Sequence, residues 1–348
     1  MNVGVLVALL AAALFGASTP LAKMLVGDMP PLLLAGVLYL GSGVGLLVWY
    51  GARRAITRAA PGDRLRRDQI GWLAGAIFAG GVVGPALLMI GLVNTPAAPA
   101  SLLLNMEGVL TALLAWFVFK ENFDARIALG MGLIVAAGVL LSWQRGGEVG
   151  VPWGSIAIVG ACLAWAIDNN LTRKISAGDA VQIACAKGVV AGVVNIGIAL
   201  VAGDRIPGAA SLAGAALVGF FGYGLSLVLF VVALRNLGAA RTGAYFSVAP
   251  FFGAALSLIL FADRPDTSFW IAAALMIAGI WLHVSERHGH RHTHEATLHA
   301  HEHMHDEHHH HEHDFAWNDE APHAHDHRHD RLAHTHAHYP DIHHRHTH

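Results

Sequence analysis

Three ionisable side chains interrupt long apolar stretches of the sequence. Glu107 and Lys187 lie near the middle of two such stretches, and Asp168 lies towards the end of a third. If these stretches cross a bilayer, a charge at its centre costs at least about 2.5–3.5 kcal/mol, so such a residue usually serves a function. We expect Glu107 to take up a proton and to couple its movement to the passage of a substrate. Lys187 would neutralise Glu107 or attract an anionic group of the substrate, such as a carboxylate.

Each of these charges also has a purely structural explanation. Glu107 and Lys187 can form a structural ion pair or snorkel in a packed bundle, and Asp168 can mark the interfacial end of its helix. Lys23, near the end of the first stretch, is better explained as an interfacial anchor than as a gate. Uncharged polar side chains in the same stretches complete the set of candidate substrate or coupling residues: Asn105, Asn169, Asn195 and Tyr245.

A second chemistry is concentrated at the C-terminal end of the chain. All 25 histidines lie between His283 and His348, many alternate as His-x-His, and the longest uninterrupted run is four. Neutral imidazole binds Zn, Ni, Co and Cu, so the pattern predicts many interchangeable sites of modest affinity, as in a metal buffer or sensor. The candidate metal ligands are His290, His292, His294, His301, His303, His305, His308, His309, His310, His311, His325 and His327.

The histidine-rich segment has an alternative role as a pH-responsive charge switch. Histidine titrates near pH 6.5, and full protonation would change the net charge of residues 286–348 from −7 to +17. An expression tag fits poorly, because acidic residues are interspersed throughout. Neither role requires the transported solute to be a metal. Because no histidine precedes His283, passage of a bare metal ion through the apolar part is disfavoured, whereas a metal chelate or an organic solute remains open.

The composition of the chain indicates which solvent surrounds these residues. Of 348 residues, 55% are hydrophobic and 13% are charged, against about 25% charged in an ordinary soluble domain. This excludes a cytosolic enzyme, a disordered protein and a nucleic-acid binder as descriptions of the whole chain. Two cysteines, Cys162 and Cys185, provide neither a disulfide framework nor a CxxC metal site. No nucleophile–base set or cofactor motif stands out, so we expect neither enzymatic activity nor a required cofactor.

Ten stretches approach the length of about 20 mostly apolar residues that crosses a bilayer as a helix. They predict an all-α membrane protein with ten transmembrane helices, followed by a tail at residues 286–348 that has too few apolar residues to fold and should be disordered. Lysine and arginine are retained on the cytoplasmic side, and 12 of them lie in the loops after spans 2, 4, 6 and 8, against three in the opposite loops. Both termini are therefore expected in the cytoplasm of a bacterial-type inner membrane. The predicted spans are residues 3–25, 32–50, 70–92, 97–119, 126–143, 153–172, 180–202, 210–234, 239–261 and 267–285.

The apolar part is predicted to consist of two repeats, residues 1–145 and 146–285. In each repeat the fourth span ends in an apolar run that an acid follows, Glu121 in the first and Asp263 in the second. Five helices are an odd number, so the two repeats enter the membrane in opposite senses. Inverted repeats of this kind place a substrate site near the midplane between the halves.

Residues 1–285 resemble the EamA-type branch of the drug/metabolite transporter superfamily. The resemblance rests on the paired five-helix halves and on residues 14–20 (LFGASTP), 113–116 (LLAW) leading to Glu121, 243–245 (GAY) and 249–250 (AP). The chain departs from the family at residues 105–108 (NMEG), where the family usually has the proline that Pro250 provides in the second half. The resemblance implies transport, often export, of small solutes driven by an ion gradient. The absence of a Walker-type loop agrees with this.

We therefore expect a secondary transporter of a small solute or metabolite, with export favoured and with a metal-binding cytoplasmic tail. The alternative is a divalent-metal or metallophore exporter whose tail senses or buffers the ion. A membrane-anchored metal sensor is a third interpretation, which is weakened because one helix would suffice as an anchor. The expected partners are a small solute, the lipid bilayer and transition-metal ions on the tail, with no nucleic acid. The sequence carries no indication of the oligomeric state.

Overall fold

The computed structural model divides into two compact units, Met1–Ser285 and Glu286–His348. In the first unit it describes residues 3–57, 69–119, 125–143, 152–173, 175, 180–237 and 239–284. In the second unit it describes residues 289–294, 297–303, 323–329 and 332–337.

Helices form nearly all of the described part of the first unit, as apolar spans require, because a helix satisfies every backbone hydrogen bond within itself. Eight stretches, α1 to α8, contain a segment long and apolar enough to cross a membrane. The apolar helices Ala249–Phe261 and Thr267–Leu282 are shorter, so the prediction that α9 and α10 also cross stays a prediction. The helices are α1 Val3–Val26, α2 Pro31–Thr57, α3 Ile70–Ala76 with Ile77–Val83 and Gly84–Asn94, α4 Ala97–Leu103 with Met106–Phe119, α5 Ala125–Ser142, α6 Trp153–Arg173, α7 Ala180–Val201, α8 Ala209–Gly219 with Phe220–Leu225 and Ser226–Leu237, α9 Ala239–Phe246 with Ala249–Phe261, and α10 Thr267–Val284.

Two helices widen into a π-helical turn, α3 at Ile77–Val83 and α8 at Phe220–Leu225. The positions correspond: Gly80 in α3 and Gly222 in α8 lie equally far before the asparagine at or near the end of each helix. A π turn interrupts the i→i−4 hydrogen bonds and is frequent at functional sites. The two halves of the unit therefore share a local irregularity as well as a helix order.

A second pair of irregularities lies in α4 and α9. Each helix is interrupted by a short turn, at residues 104–105 in α4 and at residues 247–248 in α9. Discontinuous helices at corresponding positions of two repeats commonly surround a transport site. Glu107 is the second residue of the second part of α4, which begins at Met106 directly after the turn.

Helix contacts follow the same two-part arrangement. α2 packs against α7, α5 against α10, and the first part of α4 against α9, so each pair joins equivalent helices of the two halves. α1 contacts α8 and α9, as α6 contacts the equivalent α3 and α4. Between α2 and α7, a Cβ added at Gly192 would lie 2.6 Å from the backbone nitrogen of Leu40. Such small residues let membrane helices approach closely.

The outer surface carries large apolar side chains. Phe78, Val118 and Trp281 are 66%, 63% and 62% exposed, whereas Leu33, Leu88 and other aliphatic residues fill the interior. A water-facing surface would keep such patches small. This distribution fits a protein whose solvent is lipid, in agreement with the membrane assignment from the sequence.

The second unit contains four strands, β1 Gly289–His294, β2 Thr297–His303, β3 His323–His329 and β4 Leu332–Ala337. β1 pairs antiparallel with β4, and β2 with β3. These segments differ from the predicted disordered tail: pairing satisfies their backbone groups, and the His-x-His alternation has the two-residue period of a strand. The register places His292 opposite His334 and His301 opposite His325. Predicted ligands 305 and 308–311 lie outside the described residues.

Candidate functional site

A buried ion pair joins α6 and α7. The ammonium of Lys187 donates hydrogen bonds to both carboxylate oxygens of Asp168, at 2.6 Å each. Thr172, one turn further along α6, donates its hydroxyl to Oδ1 of the same carboxylate at 2.8 Å. Asp168 is only 6% exposed, so these three hydrogen bonds replace the water that its charge would otherwise require.

Glu107 has a different environment. The side-chain amide of Asn169 donates a hydrogen bond to Glu107 Oε1 at 2.9 Å. The carboxylate is half-buried and lies in the first turn of the second part of α4, where a helix favours negative charge. Among the described residues, no lysine or arginine lies within 4.0 Å of this carboxylate. Glu107 therefore has a neutral partner, in contrast to Asp168.

The backbone carbonyls of the π turn in α3 accept hydrogen bonds from side chains of three neighbouring helices. Gly80 O accepts hydrogen bonds from Tyr39 Oη of α2 at 2.8 Å and from Trp165 Nε1 of α6 at 2.9 Å. Gly81 O accepts one from Asn195 Nδ2 of α7 at 3.0 Å. These donors satisfy carbonyls that lipid could not. The π turn is thereby fixed by side chains from three helices.

Gly80 also brings the backbone of α3 against the ion pair. A Cβ added at Gly80 would collide with the carboxylate of Asp168, so only glycine fits there. Asn195 is fully buried, and its Oδ1 has no partner among the described atoms. The ion pair, the π turn and Asn195 thus form one continuous polar region within the helix bundle.

A row of aromatic rings begins at Tyr39. Its ring lies 5.6 Å from that of Tyr223, which lies 5.9 Å from Phe15. The ring centroids of Phe15 and Phe246 are 5.4 Å apart, and those of Phe246 and Phe230 are 4.8 Å apart. The hydroxyl of Tyr39 bonds the carbonyl of Gly80, and Gly80 packs against the carboxylate of Asp168. The polar region and the aromatic row therefore adjoin, with α1, α8 and α9 supplying the apolar side.

An equivalent glycine contact joins α8 and α1, but it involves no charged residue. Gly222 of α8 packs against Ser18 of α1, since a Cβ there would lie 2.5 Å from Ser18 Cβ. Its carbonyl accepts a hydrogen bond from Ser226 Oγ at 2.7 Å, within the same helix. Ser18 thus stands in α1 where Asp168 stands in α6. Both halves therefore have the close glycine contact, which we call the shared frame, whereas the Asp168–Lys187 ion pair belongs to one half.

The predicted site residues have different surroundings. Lys187, which was predicted to neutralise Glu107 or an anionic substrate group, bonds Asp168 instead. Asn105 lies apart, with its amide donating to Leu102 O at 2.9 Å and contacting Met276 Sδ at 3.4 Å. Tyr245 is half-buried and precedes Phe246 in α9.

Lys23 of α1 binds the C-terminal end of α3. Its ammonium donates to the carbonyl of Leu92 and, at 3.2 Å, to that of Val93. These carbonyls belong to the last turn of α3, where a positive charge is favourable.

Tyr39, Trp165 and Thr172 were not predicted from the sequence. A tyrosine or tryptophan inside an apolar span has one O–H or N–H that lipid cannot satisfy. Its partner must then be a polar side chain or a carbonyl freed by an irregular helix. The adjacent glycines at 80 and 81 were the available signal for such carbonyls.

Comparison with known proteins identifies the fold. The model of the EamA-like transporter family matches residues 2–143 and again residues 152–285. A protein of Methanothermobacter thermautotrophicus named as an uncharacterized transporter is 27% identical over 283 residues, which cover 77% of this chain and 82% of that protein. YedA of Escherichia coli K12, named as an uncharacterized inner membrane transporter, is 24% identical over 260 residues, which cover 73% and 82%.

A crystal structure of another protein aligns with a TM-score of 0.58 over 80% of this chain and 96% of that chain. At 17% identity this likeness shows the fold alone. The family model covers both halves of the apolar unit, and the relatives are named as transporters. The chain is a multi-pass membrane protein for the transport of a solute, and it belongs to the EamA-like transporter family.

Proposed function

We propose that the chain is an ion-gradient-coupled exporter of a small solute in the inner membrane, with both termini in the cytoplasm. The observation that supports this best is the position of Glu107. Its carboxylate follows the turn in α4, one of two matched helix breaks, and its only described side-chain partner at normal hydrogen-bond distance is the neutral amide of Asn169. Sites at such breaks are typical of transporters built from inverted repeats.

Glu107 is a better proton carrier than Asp168. Protonation of Asp168 would leave the Lys187 ammonium without its charged partner in a buried position, which costs several kcal/mol. Protonation of Glu107 leaves no described cation unpaired, and Asn169 can still bond the neutral acid. In this proposal Glu107 binds and releases the coupling proton, while the Asp168–Lys187 pair stays intact and positions α6 against α7.

The orientation and direction are supported by the sequence. The excess of lysine and arginine in the loops after spans 2, 4, 6 and 8 places those loops, and with them both termini, on the cytoplasmic side. The resemblance to exporters of the superfamily favours outward transport. The E. coli relative is named as an inner membrane protein, which supports the same location here.

We further propose that the histidine-rich tail buffers or senses transition-metal ions such as Zn, Ni, Co or Cu. Its imidazoles supply suitable ligands. The second candidate function, export of a divalent metal or of a metallophore, is favoured by this tail alone. It is opposed by the spans, since no histidine precedes His283.

The deciding experiment compares untargeted extracellular metabolites and cellular metal content in cells with and without the chain. Export of an organic solute is expected to raise one or more extracellular metabolites and to leave metal content unchanged. A changed metal content without a changed metabolite would support the metal exporter instead. A variant lacking residues 286–348 separates the roles: unchanged metal tolerance would contradict a metal function of the tail.

A further inference from the structure

The charges inside the helix bundle do not balance at Glu107. Asp168 and Lys187 neutralise each other at 2.6 Å. Glu107 has Asn169 as its hydrogen-bonding partner at 2.9 Å, and no described lysine or arginine lies within 4.0 Å. A half-buried carboxylate in a lipid-surrounded bundle is costly without a counter-charge. When Glu107 has released its proton, the position therefore calls for a positive group that the described chain does not supply.

Glu107 is more accessible than the other acid of the region. The next residue, Gly108, is exposed, and a Cβ added there would meet no atom within 4 Å. Asn169, which holds the carboxylate from α6, is exposed as well. Asp168, in contrast, is only 6% exposed and is enclosed by Lys187 and by the backbone at Gly80.

The aromatic row provides a second, independent feature with the same preference. Tyr39 donates to the carbonyl of Gly80, which packs against Asp168, the neighbour of Asn169 in α6. The ring of Tyr39 is followed by those of Tyr223, Phe15 and Phe246. Aromatic faces attract cations and pack well against apolar or aromatic bodies. An anionic solute would meet the unpaired carboxylate and the negative ring faces together, and it would find Lys187 already paired.

We infer that the transported solute presents a positively charged nitrogen, such as a primary ammonium, to the carboxylate of Glu107, with its apolar body against the aromatic row. This inference rests on the proposed transport function and names its substrate class. It also changes the role expected for Lys187, which holds Asp168 and leaves no cation for an anionic substrate group.

The test uses three probes that share one skeleton: phenethylamine, 3-phenylpropanamide and 3-phenylpropionate. Binding of each to the full chain in lipid nanodiscs is measured by titration calorimetry at pH 7, for the wild type, for Glu107→Gln, for Glu107→Asp and for Asp204→Asn. Asp204, in the loop after α7, provides a matched loss of one negative charge outside the site. Glu107→Asp keeps the charge and controls for folding, together with monodispersity of the nanodisc particles.

The wild type and Asp204→Asn should bind phenethylamine at least about tenfold more tightly than the amide, with the carboxylate weakest. Glu107→Gln should reduce the preference for the amine over the amide to less than about twofold, and Glu107→Asp should retain a preference. Tighter binding of the carboxylate, an unchanged preference in Glu107→Gln, or no binding of any probe by the wild type would overturn the inference.

Failure of the inference can be told apart from failure of the proposed function. If cells with the chain export metabolites that are neutral or anionic, and Glu107→Gln abolishes this export, coupled transport stands and the cationic substrate class falls. If no metabolite changes with the chain, the transport proposal itself falls.

Discussion

The ion pair between Asp168 and Lys187 allows a quantitative test of the bundle. Asp168→Asn would leave the Lys187 ammonium with neutral partners only, the new amide oxygen and the Thr172 hydroxyl at 3.5 Å. Lys187→Met would leave the Asp168 carboxylate buried with the Thr172 bond. Removing one partner of a buried pair costs about 3–5 kcal/mol, and the 18% exposure of the lysine side chain favours the lower end. We expect each single variant to lose about 3 kcal/mol of unfolding free energy.

The double variant Asp168→Asn/Lys187→Met distinguishes a charge effect from a packing effect. It leaves no unpaired charge, so its loss should be about 2–3 kcal/mol smaller than the sum of the two single losses. The assay is reversible unfolding by sodium dodecyl sulfate in mixed micelles, followed by near-ultraviolet circular dichroism, for all four chains. Additive losses would refute the conclusion that these two residues stabilise the bundle as a pair.

Three further variants test other parts of the structure in the same assay. Trp165→Phe removes the N–H donor to the π turn of α3 and should lose about 0.6–1.7 kcal/mol; no loss would contradict the assigned bond. Gly219→Ala should lose at least about 1–3 kcal/mol, because a Cβ there would collide with the backbone carbonyl of Leu38, whereas the control Gly197→Ala has no atom within 4 Å and should lose less than about 0.5 kcal/mol. Ala262→Gly should gain up to about 1 kcal/mol, because residue 262 ends α9 with φ of 50°, a left-handed conformation that favours glycine; a loss would contradict this.

The membrane character of the chain and the positions of its internal charges could be predicted from the sequence. Apolar length is a direct consequence of bilayer thickness, and a charge within such a stretch is conspicuous because it is costly. Glu107, Asp168 and Lys187 were found for this reason. The partners of these charges could not be predicted, because they depend on the rotation of each helix about its own axis.

α6 illustrates how rotation decides the partners. Consecutive residues of a helix point about 100° apart, so the neighbours Asp168 and Asn169 face different helices. Asp168 meets Lys187 of α7, and Asn169 meets Glu107 of α4. A rotation of α6 by one residue, about 100°, would break both contacts. The actual rotation of α6 is set by packing, notably by the close approach of Gly80 in α3 to the Asp168 side chain. The residues that determine this packing are spread over several helices.

The π turns were also beyond prediction from local sequence. The segments IFAGGVV and FFGYGL share little besides aromatic and small residues, and intrinsic helix propensity does not distinguish a π turn from an ordinary one. In α3, the turn is accompanied by Tyr39, Trp165 and Asn195, each of which donates to a carbonyl of Gly80 or Gly81. These donors come from three other helices, so the irregularity is a property of the assembled bundle.

Comparison of the two halves distinguishes what close helix packing, the shared frame, requires from what the chemistry of the site requires. Close approach of helices requires a residue without a side chain at Gly80 and at Gly222, and both halves meet that requirement. Nothing in the frame requires a charge, since Ser18 satisfies the contact in one half where Asp168 does so in the other. Asp168 is costly unless Lys187 accompanies it, so the pair must be present or absent together. If only helix packing mattered, the Asp168–Lys187 pair could be replaced by uncharged residues. The structure instead brings the pair of one half close to Glu107 of the other half, because Asp168 and the Glu107 partner Asn169 are neighbours in α6. Charge is therefore the property that is added to the shared frame, as the proposed selection of solutes by charge requires.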